Sequence, residues 1–318
     1  MDIEISKAVR YIGADDLTLD LFEGQYDVPE GVSYNSYVII DEKIAVLDTI
    51  DARCSEERMK TLERELAGRT PDYLVISHLE PDHAANITAI MAKYPSLTAV
   101  CTAVAKKMLP QFFDAAIFEG RLNVVKEGDL LSLGSHTLQF LMAPMIHWPE
   151  VMMCYEQSEK ILFSADAFGK FGALCTYDGD WACEARRYYF NIVGKYGAQV
   201  QTLLKKAAGL EIATICPLHG PILSDNLGYY LGLYNTWSAY EAESDGVFIA
   251  YCSMHGNTAK AAQLLADEIK ALSPDTKISI ADLARTDLAE DVEDAFRYNR
   301  VVFAAPTYDA GLMPIMVD

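Results

Sequence analysis

The chain has 318 residues, 51% hydrophobic and 23% charged, an ordinary globular composition with enough apolar material for two domains. Its 46 acidic and 26 basic residues give a formal charge of −20, which repels nucleic acid and anionic membranes and suits a neutral or cationic partner. No run of about 18 apolar residues occurs, so no membrane span is expected, and the N-terminal MDIEISKAVRYIG lacks the basic-then-apolar order of a secretory signal. Seven cysteines, an odd number without C-x-x-C spacing, point to a reducing cytoplasm and argue against a disulfide framework or a cysteine-held zinc or iron within this chain.

In chain order, NSYVIIDEKIAVLDT (35–49) reads as two strands around a turn at Asp41-Glu42. A helix is expected over 55–67, with Ser55 as N-cap and Gly68 as the stop. DYLVIS (72–77) is a short buried strand that runs into the loop HLEPDH. A helix near 84–94, a strand near 97–101 and a helix near 103–113 follow. Strand-like runs recur at 122–126, 137–143, 151–155 and 160–164; a long helix over 185–208 then precedes the strand IATICPL. This order suits a layered α/β domain with sheets inside and helices outside. The polar stretch TWSAYEAESDG (236–246) closes the first unit. From 247 the strand–loop–helix–strand pattern VFIAYC, SMHGNT, AKAAQLLADEIKALS, KISIADL and then RVVFAAP reads as βαβαβ, the opening of a doubly wound parallel sheet.

His78, Glu80, Asp82 and His83 stand within six positions of a strand exit. Alternation is expected to point 78, 80 and 82 one way with His83 beside them, so that one loop feeds two metals. His147, Asp166 and His219 each follow another strand-like run. Taken singly, either histidine reads more readily as structural and Asp166 as a turn residue. Together, four of the six histidines lie at strand exits in the company of three carboxylates, which is a two-metal pattern. His136 alternates along a polar-flanked strand and is expected to be exposed.

In the second segment, Ser253, His255, Gly256, Asn257 and Thr258 lie between a strand and a helix. Such a loop presents backbone N–H groups and hydroxyls at a helix N-terminus, an anion site. It lacks the lysine of a nucleotide P-loop, so magnesium triphosphate is not expected. APTYDAG (305–311) follows the third strand.

His78-Leu79-Glu80-Pro81-Asp82-His83, followed by His147, Asp166 and His219, resembles the metallo-β-lactamase-like domain of flavodiiron proteins (A-type flavoproteins), and the 253–258 loop resembles the FMN phosphate loop of flavodoxins. The resemblance covers nearly the whole chain. It implies a metallo-β-lactamase-like αββα sandwich over 1–245, then the first half of a flavodoxin-like doubly wound parallel sheet over 246–318. The pattern ends at Asp318 with two strands still to come, so the flavin domain is expected to be incomplete. The hydrolase branch of the fold usually carries histidine at the position of Glu80. A further carboxylate favours iron over zinc, because hard oxygen donors suit the ferric state.

Carried over by position, the resemblance assigns His78, Glu80 and His147 to one iron and Asp82, His83 and His219 to the other, with Asp166 bridging. Trp148 and Tyr196 would stand near the substrate. Ser253, Met254, His255, Gly256, Asn257 and Thr258 would hold the FMN phosphate, and Pro306, Thr307, Tyr308, Asp309 and Gly311 the flavin ring. The implied activity is cytoplasmic reduction of O2 to water or of NO to N2O. Electrons would pass through FMN from a donor such as rubredoxin or a flavin reductase, in a head-to-tail homodimer or a dimer of dimers. The alternative is a two-zinc hydrolase with an appended flavodoxin-like module.

Overall fold

The computed structural model describes Ile3 and residues 5–317; Met1, Asp2, Glu4 and Asp318, the terminal residues of the two expected domains among them, lie outside that range. The chain divides into two compact units. One comprises Met1–Ala185 with Gln199–Leu231, the other Arg186–Ala198 with Gly232–Asp318.

The first unit is built on two sheets. One runs in the order Val9–Tyr11, Tyr37–Ile39, Ala45–Leu47, Tyr73–Val75, Thr98–Thr102, Leu122–Val125, antiparallel for the first three strands and parallel thereafter. The other runs Leu130–Ser132, Thr137–Met142, Met152–Glu156, Ile161–Phe163, Thr214–Cys216, with only the last pair parallel. Successive side chains of a strand point to opposite faces, and here both faces are used. Tyr37, Ile39, Ala45, Leu47, Val75 and Val100 meet Leu138, Phe140, Met152, Cys154 and Phe163 of the second sheet. The alternate residues Val38, Val46, Leu74, Ala99 and Cys101 pack under Leu62, Leu66, Ile90, Met91 and Leu109 from the helices. A sheet covered on both faces reads as a continuous apolar run, as DYLVIS and LTAVCT do.

The helices differ in detail from the sequence expectation. Helix Ser55–Leu66 starts after Cys54, and Ser55 is its first residue rather than its cap; the Ser55 hydroxyl donates back to Ala52 O. At its other end Ala67 takes the left-handed conformation, followed by Gly68. The helix expected over 84–94 is two pieces, Pro81–Ala84 and Ile87–Lys93. The helix expected over 185–208 is likewise broken. Ala182–Tyr188 passes through a π-helical turn, Tyr189–Val193, and a 3-10 turn, Gly194–Tyr196, before Gly197–Ala207 resumes. Helix Leu227–Ser238 was not read from the sequence; it buries Tyr234 and Trp237 and runs into the stretch expected to be a polar linker.

In the second unit, Gly246–Tyr251 lies between Lys277–Asp282 and Val301–Ala304, all parallel. This middle-first order is that of flavodoxin-like sheets. Val247 and Ile249 face Ala262 and Ala266 of helix Asn257–Leu272, whereas Phe248 and Ala250 face the opposite side with Ala281. The segment 186–198 joins this unit. Arg186 pairs with Glu243 at 3.0 Å and Glu293 at 2.5 Å, Arg187 with Asp287, and Phe190 stacks on Phe296.

Candidate metal centre

The loop after Tyr73–Val75 carries four of the seven metal-capable residues. Glu80 lies on extended backbone. Pro81 then opens a helical turn, Pro81–Ala84, with Glu80 as its N-cap, the position and conformation that proline's fixed φ favours. The turn sends Asp82 and His83 away from the direction of His78 and Glu80. The simple alternation expected from sequence therefore fails, and the motif divides between two groups: His78, Glu80, His147 and Asp166 in one, Asp82, His83 and His219 in the other. Within each, the donor atoms lie within 4.8 Å of one another.

In the first group, His147 Nε2 is 2.9 Å from Glu80 Oε2 and 3.0 Å from Asp166 Oδ2, and His78 Nε2 is 3.2 Å from the same Asp166 oxygen. In the second, Asp82 Oδ2 lies 3.4 Å from His83 Nε2 and 3.3 Å from His219 Nε2, and those two imidazole nitrogens face each other at 3.0 Å. Asp166 Oδ1 turns toward His83 Nε2 at 3.8 Å, joining the groups.

These residues are buried or nearly so, and their charges act on one another strongly. Burial opposes a charge on His78, but Asp166 and Glu80 push its pKa well above the ordinary value. His147 is likewise raised, to about 10, by Asp166 and Glu80 against burial. Burial also opposes the charge on Glu80 and Asp166, yet the imidazoles hold both carboxyls below their usual range. His83 is lowered to about 4, chiefly by burial.

The donors fit a metal pair. Both Asp82 oxygens, Asp166 Oδ1 and His78 Nε2 are buried without a hydrogen-bond partner, although buried polar atoms are nearly always satisfied. They converge on common points with facing imidazoles, an arrangement that a cation resolves and a hydrogen-bond network does not.

A further set of contacts holds these side chains in place, and sequence reading missed it. Asp48, in left-handed backbone at φ 56°, accepts from Ser77 N at 2.7 Å and Ser77 Oγ at 2.9 Å. Ser77 Oγ in turn lies 3.2 Å from His78 Nδ1. His219 Nδ1 lies 2.8 Å from Ser33 O. Asn35 Nδ2 donates to Pro217 O and Gly220 O, both at 2.8 Å. Gly220 has φ +77° and no room for a Cβ, which would meet Lys170 Cγ at 2.5 Å. For Asp48, Ser77 and Asn35 the sequence signal was their place just after strands; Ser33 lies inside strand Val32–Tyr34 and gave none. A cavity of about 340 Å³ reaches Glu80 and Asp82 and is lined by Leu21, Phe22, Glu23, Tyr34 and Arg53. Burial and the neighbouring Glu80 push Glu23 up to about 7.

The chain is similar to known proteins. The family described as ODP family beta lactamase matches residues 32–220. The anaerobic nitric oxide reductase flavorubredoxin of Citrobacter koseri is 32% identical over 99% of this chain and 67% of its own length, and that of Escherichia coli O1:K1 is 33% identical with the same coverage.

The chain is a flavodiiron protein.

It is thereby an oxidoreductase of metallo-β-lactamase-like plus flavodoxin-like architecture. The solved flavodiiron protein from Giardia intestinalis superposes with a TM-score of 0.91 at 28% identity, over all of this chain and 78% of that one. The rubredoxin oxygen:oxidoreductase from Desulfovibrio gigas does so with a TM-score of 0.90 at 27% identity, over all of this chain and 80% of that one. No helix among the described residues is long and apolar enough to cross a membrane.

The remaining residues expected from the flavodiiron resemblance are spread over both units. Trp148, half-buried beside His147, packs on the helix-side core with its ring 6.1 Å from Phe112. Tyr196 ends the 3-10 turn of the second unit, with the Lys195 ammonium 5.2 Å from its ring centre. Ser253, Met254, His255, Gly256, Asn257 and Thr258 form the loop into helix Asn257–Leu272. Gly256 is the N-cap at φ +83°, and Ser253 Oγ is buried without a hydrogen-bond partner. Such a cradle suits a phosphate. Pro306, Thr307, Tyr308, Asp309 and Gly311 lie on or beside a small hairpin, Thr307–Tyr308 paired with Gly311–Leu312. It leaves the strand next to Gly246–Tyr251, so both loops emerge at the same carboxyl edge of the sheet. Exposed His136 was the expectation, but the ring is largely enclosed, Nδ1 at 2.8 Å from Asp41 and Nε2 at 3.4 Å from Glu159.

Proposed function

We propose that this chain reduces O2 to water or NO to N2O at a pair of irons, with electrons relayed through FMN. His78, Glu80 and His147 would hold one iron, Asp82, His83 and His219 the other, with Asp166 shared. The observation that carries this reading is the position of Glu80 between His78 and His147, which gives the first group two carboxylates and two imidazoles. When bound, the iron pair would supply electrons and open positions for a diatomic substrate. The chain's own part is placement and exclusion. Asp166 spans the two groups. Asp48 through Ser77, and Ser33 by its carbonyl, fix the ring orientations of His78 and His219. Phe22 and Tyr34 pack edge-on against His219, with ring centres 5.4 and 5.9 Å away.

Residues 1–245 would form the di-iron domain and 246–318 the FMN-binding part, its phosphate held by 253–258 and its ring beside Tyr308. Trp148 and Tyr196 are proposed to act near the substrate. The names of the relatives support both gases, and the rubredoxin in them supports a donor such as rubredoxin; a flavin reductase is the other candidate. A head-to-tail homodimer or dimer of dimers would bring the flavin of one subunit to the metal pair of another.

Anaerobic reconstitution with ferrous iron and FMN tests the reading. Two irons per chain and consumption of O2 or NO by the reduced protein are expected. Two tightly held zincs with esterase or lactamase activity would establish the hydrolase alternative instead.

A further inference from the structure

Glu150 stands three residues after His147 and is buried. One of its carboxyl oxygens accepts the Leu79 N–H at 2.8 Å, while the other is buried with no hydrogen-bond partner. Leu79 lies between the ligands His78 and Glu80. Glu150 is itself anchored, its carbonyl accepting from Thr102 Oγ1 at 3.1 Å, with Thr102 capping helix Ala103–Phe112. Two residues on, Met152 N donates to Ser77 O at 3.0 Å. The segment that carries His147 is thus laced to the loop that carries His78 and Glu80 on both sides of His78.

Placing a carboxyl group in the interior with one oxygen unsatisfied is unfavourable, and a purely structural brace between two loops needs no such group. The second ligand group has other supports. His83 O accepts from Thr49 N and Thr49 Oγ1, and His219 is held by Ser33. The direct hydrogen bond of Glu150 is thus to the stretch between His78 and Glu80, in the first group.

We propose that Glu150 is a positioning residue for the metal held by His78, Glu80, His147 and Asp166, fixing the spacing between the two loops that supply it. This rests on the two-metal reading above. Two substitutions separate positioning from general stability. Glu150→Gln keeps an oxygen for the Leu79 N–H; Glu150→Met keeps the length and removes the acceptor.

The test is an anaerobic ferrous iron titration of the full chain, read as iron per chain and dissociation constant, with thermal unfolding alongside. Wild type binding fewer than two irons would overturn the two-metal reading itself. With wild type at two, Glu150→Met should hold one iron tightly and the other about 10- to 100-fold more weakly, the range for lost outer partners of metal ligands. Glu150→Gln should restore both. Two unweakened sites in Glu150→Met, equal weakening of both sites, or a Glu150→Gln chain as defective as Glu150→Met would each overturn the proposal. Should Glu150→Met not fold, Glu150→Asp, a carboxyl one methylene short of Leu79, decides in its place. The same selective loss supports the proposal, and two full sites overturn it.

Discussion

Asp166 faces His147 with one carboxyl oxygen, Oδ2 lying 3.0 Å from Nε2, and turns its other oxygen toward the ring of His83 in the second group. A single side chain thus belongs to both sets of donors. Asp166→Asn keeps the shape and replaces one acceptor by a donor. It should cut affinity for both metals by more than about 100-fold, beyond the effect of an outer partner, and abolish reductase activity. Metal analysis after gel filtration checks this; a variant with two metals would show that Asp166 is not shared.

Ser77 links Asp48 to His78 Nδ1. Ser77→Ala removes that link and leaves the buried Asp48 carboxyl with only the Ser77 N–H of the pair. The expected outcome is a stability loss of about 1–3 kcal/mol and about 10- to 100-fold weaker metal binding. Denaturant unfolding and metal titration measure the two separately; unchanged affinity would confine Ser77 to a structural role.

His136 provides a pH signature away from the metal site. Burial opposes its charge, but Asp41 and Glu159 raise its pKa, while Asp41 is lowered by His136 against its own burial. The histidine's contribution to stability is full below its unfolded value of about 6.5 and fades as pH rises through the raised folded value. The aspartate's contribution is present above about 3.8 and is lost as pH falls. The pair therefore stabilises most between about pH 4 and 6.5. Urea midpoints of wild type and His136→Ala should differ most near pH 5, and the gap should narrow as pH rises above about 6.5; a gap that widens with pH would contradict the assignment.

Gly256 caps helix Asn257–Leu272 in the left-handed region, with no atom within 4 Å of where a Cβ would sit. Gly256→Ala is therefore strained by backbone alone, by about 1–2 kcal/mol. If the loop holds the FMN phosphate, relief of that strain should distort the cradle and weaken FMN binding by about tenfold or more. Flavin fluorescence titration reads the change, and unaltered affinity would move the phosphate elsewhere.

The two-part plan and the candidate metal donors were legible because they are local. A buried strand followed by HLEPDH, and His147, Asp166 and His219 each at a strand exit, announce themselves by residue type and by the turn after each strand. The βαβ rhythm after Gly246 does the same for the second sheet. Other features depended on contacts distant along the chain. Glu150 and Leu79 are 71 residues apart, and Asn35 reaches Pro217 across 182, separations on which a single sequence carries no signal. The π-helical and 3-10 turns between Tyr189 and Tyr196 interrupt a sequence that reads as one continuous helix. The amino-acid sequence by itself determined which side chains could hold metal and that they end strands. Tertiary structure decided how they are shared out: Pro81 starts a helical turn, that turn parts Asp82 and His83 from His78 and Glu80, and only packing of the two sheets brings Asp166 between them.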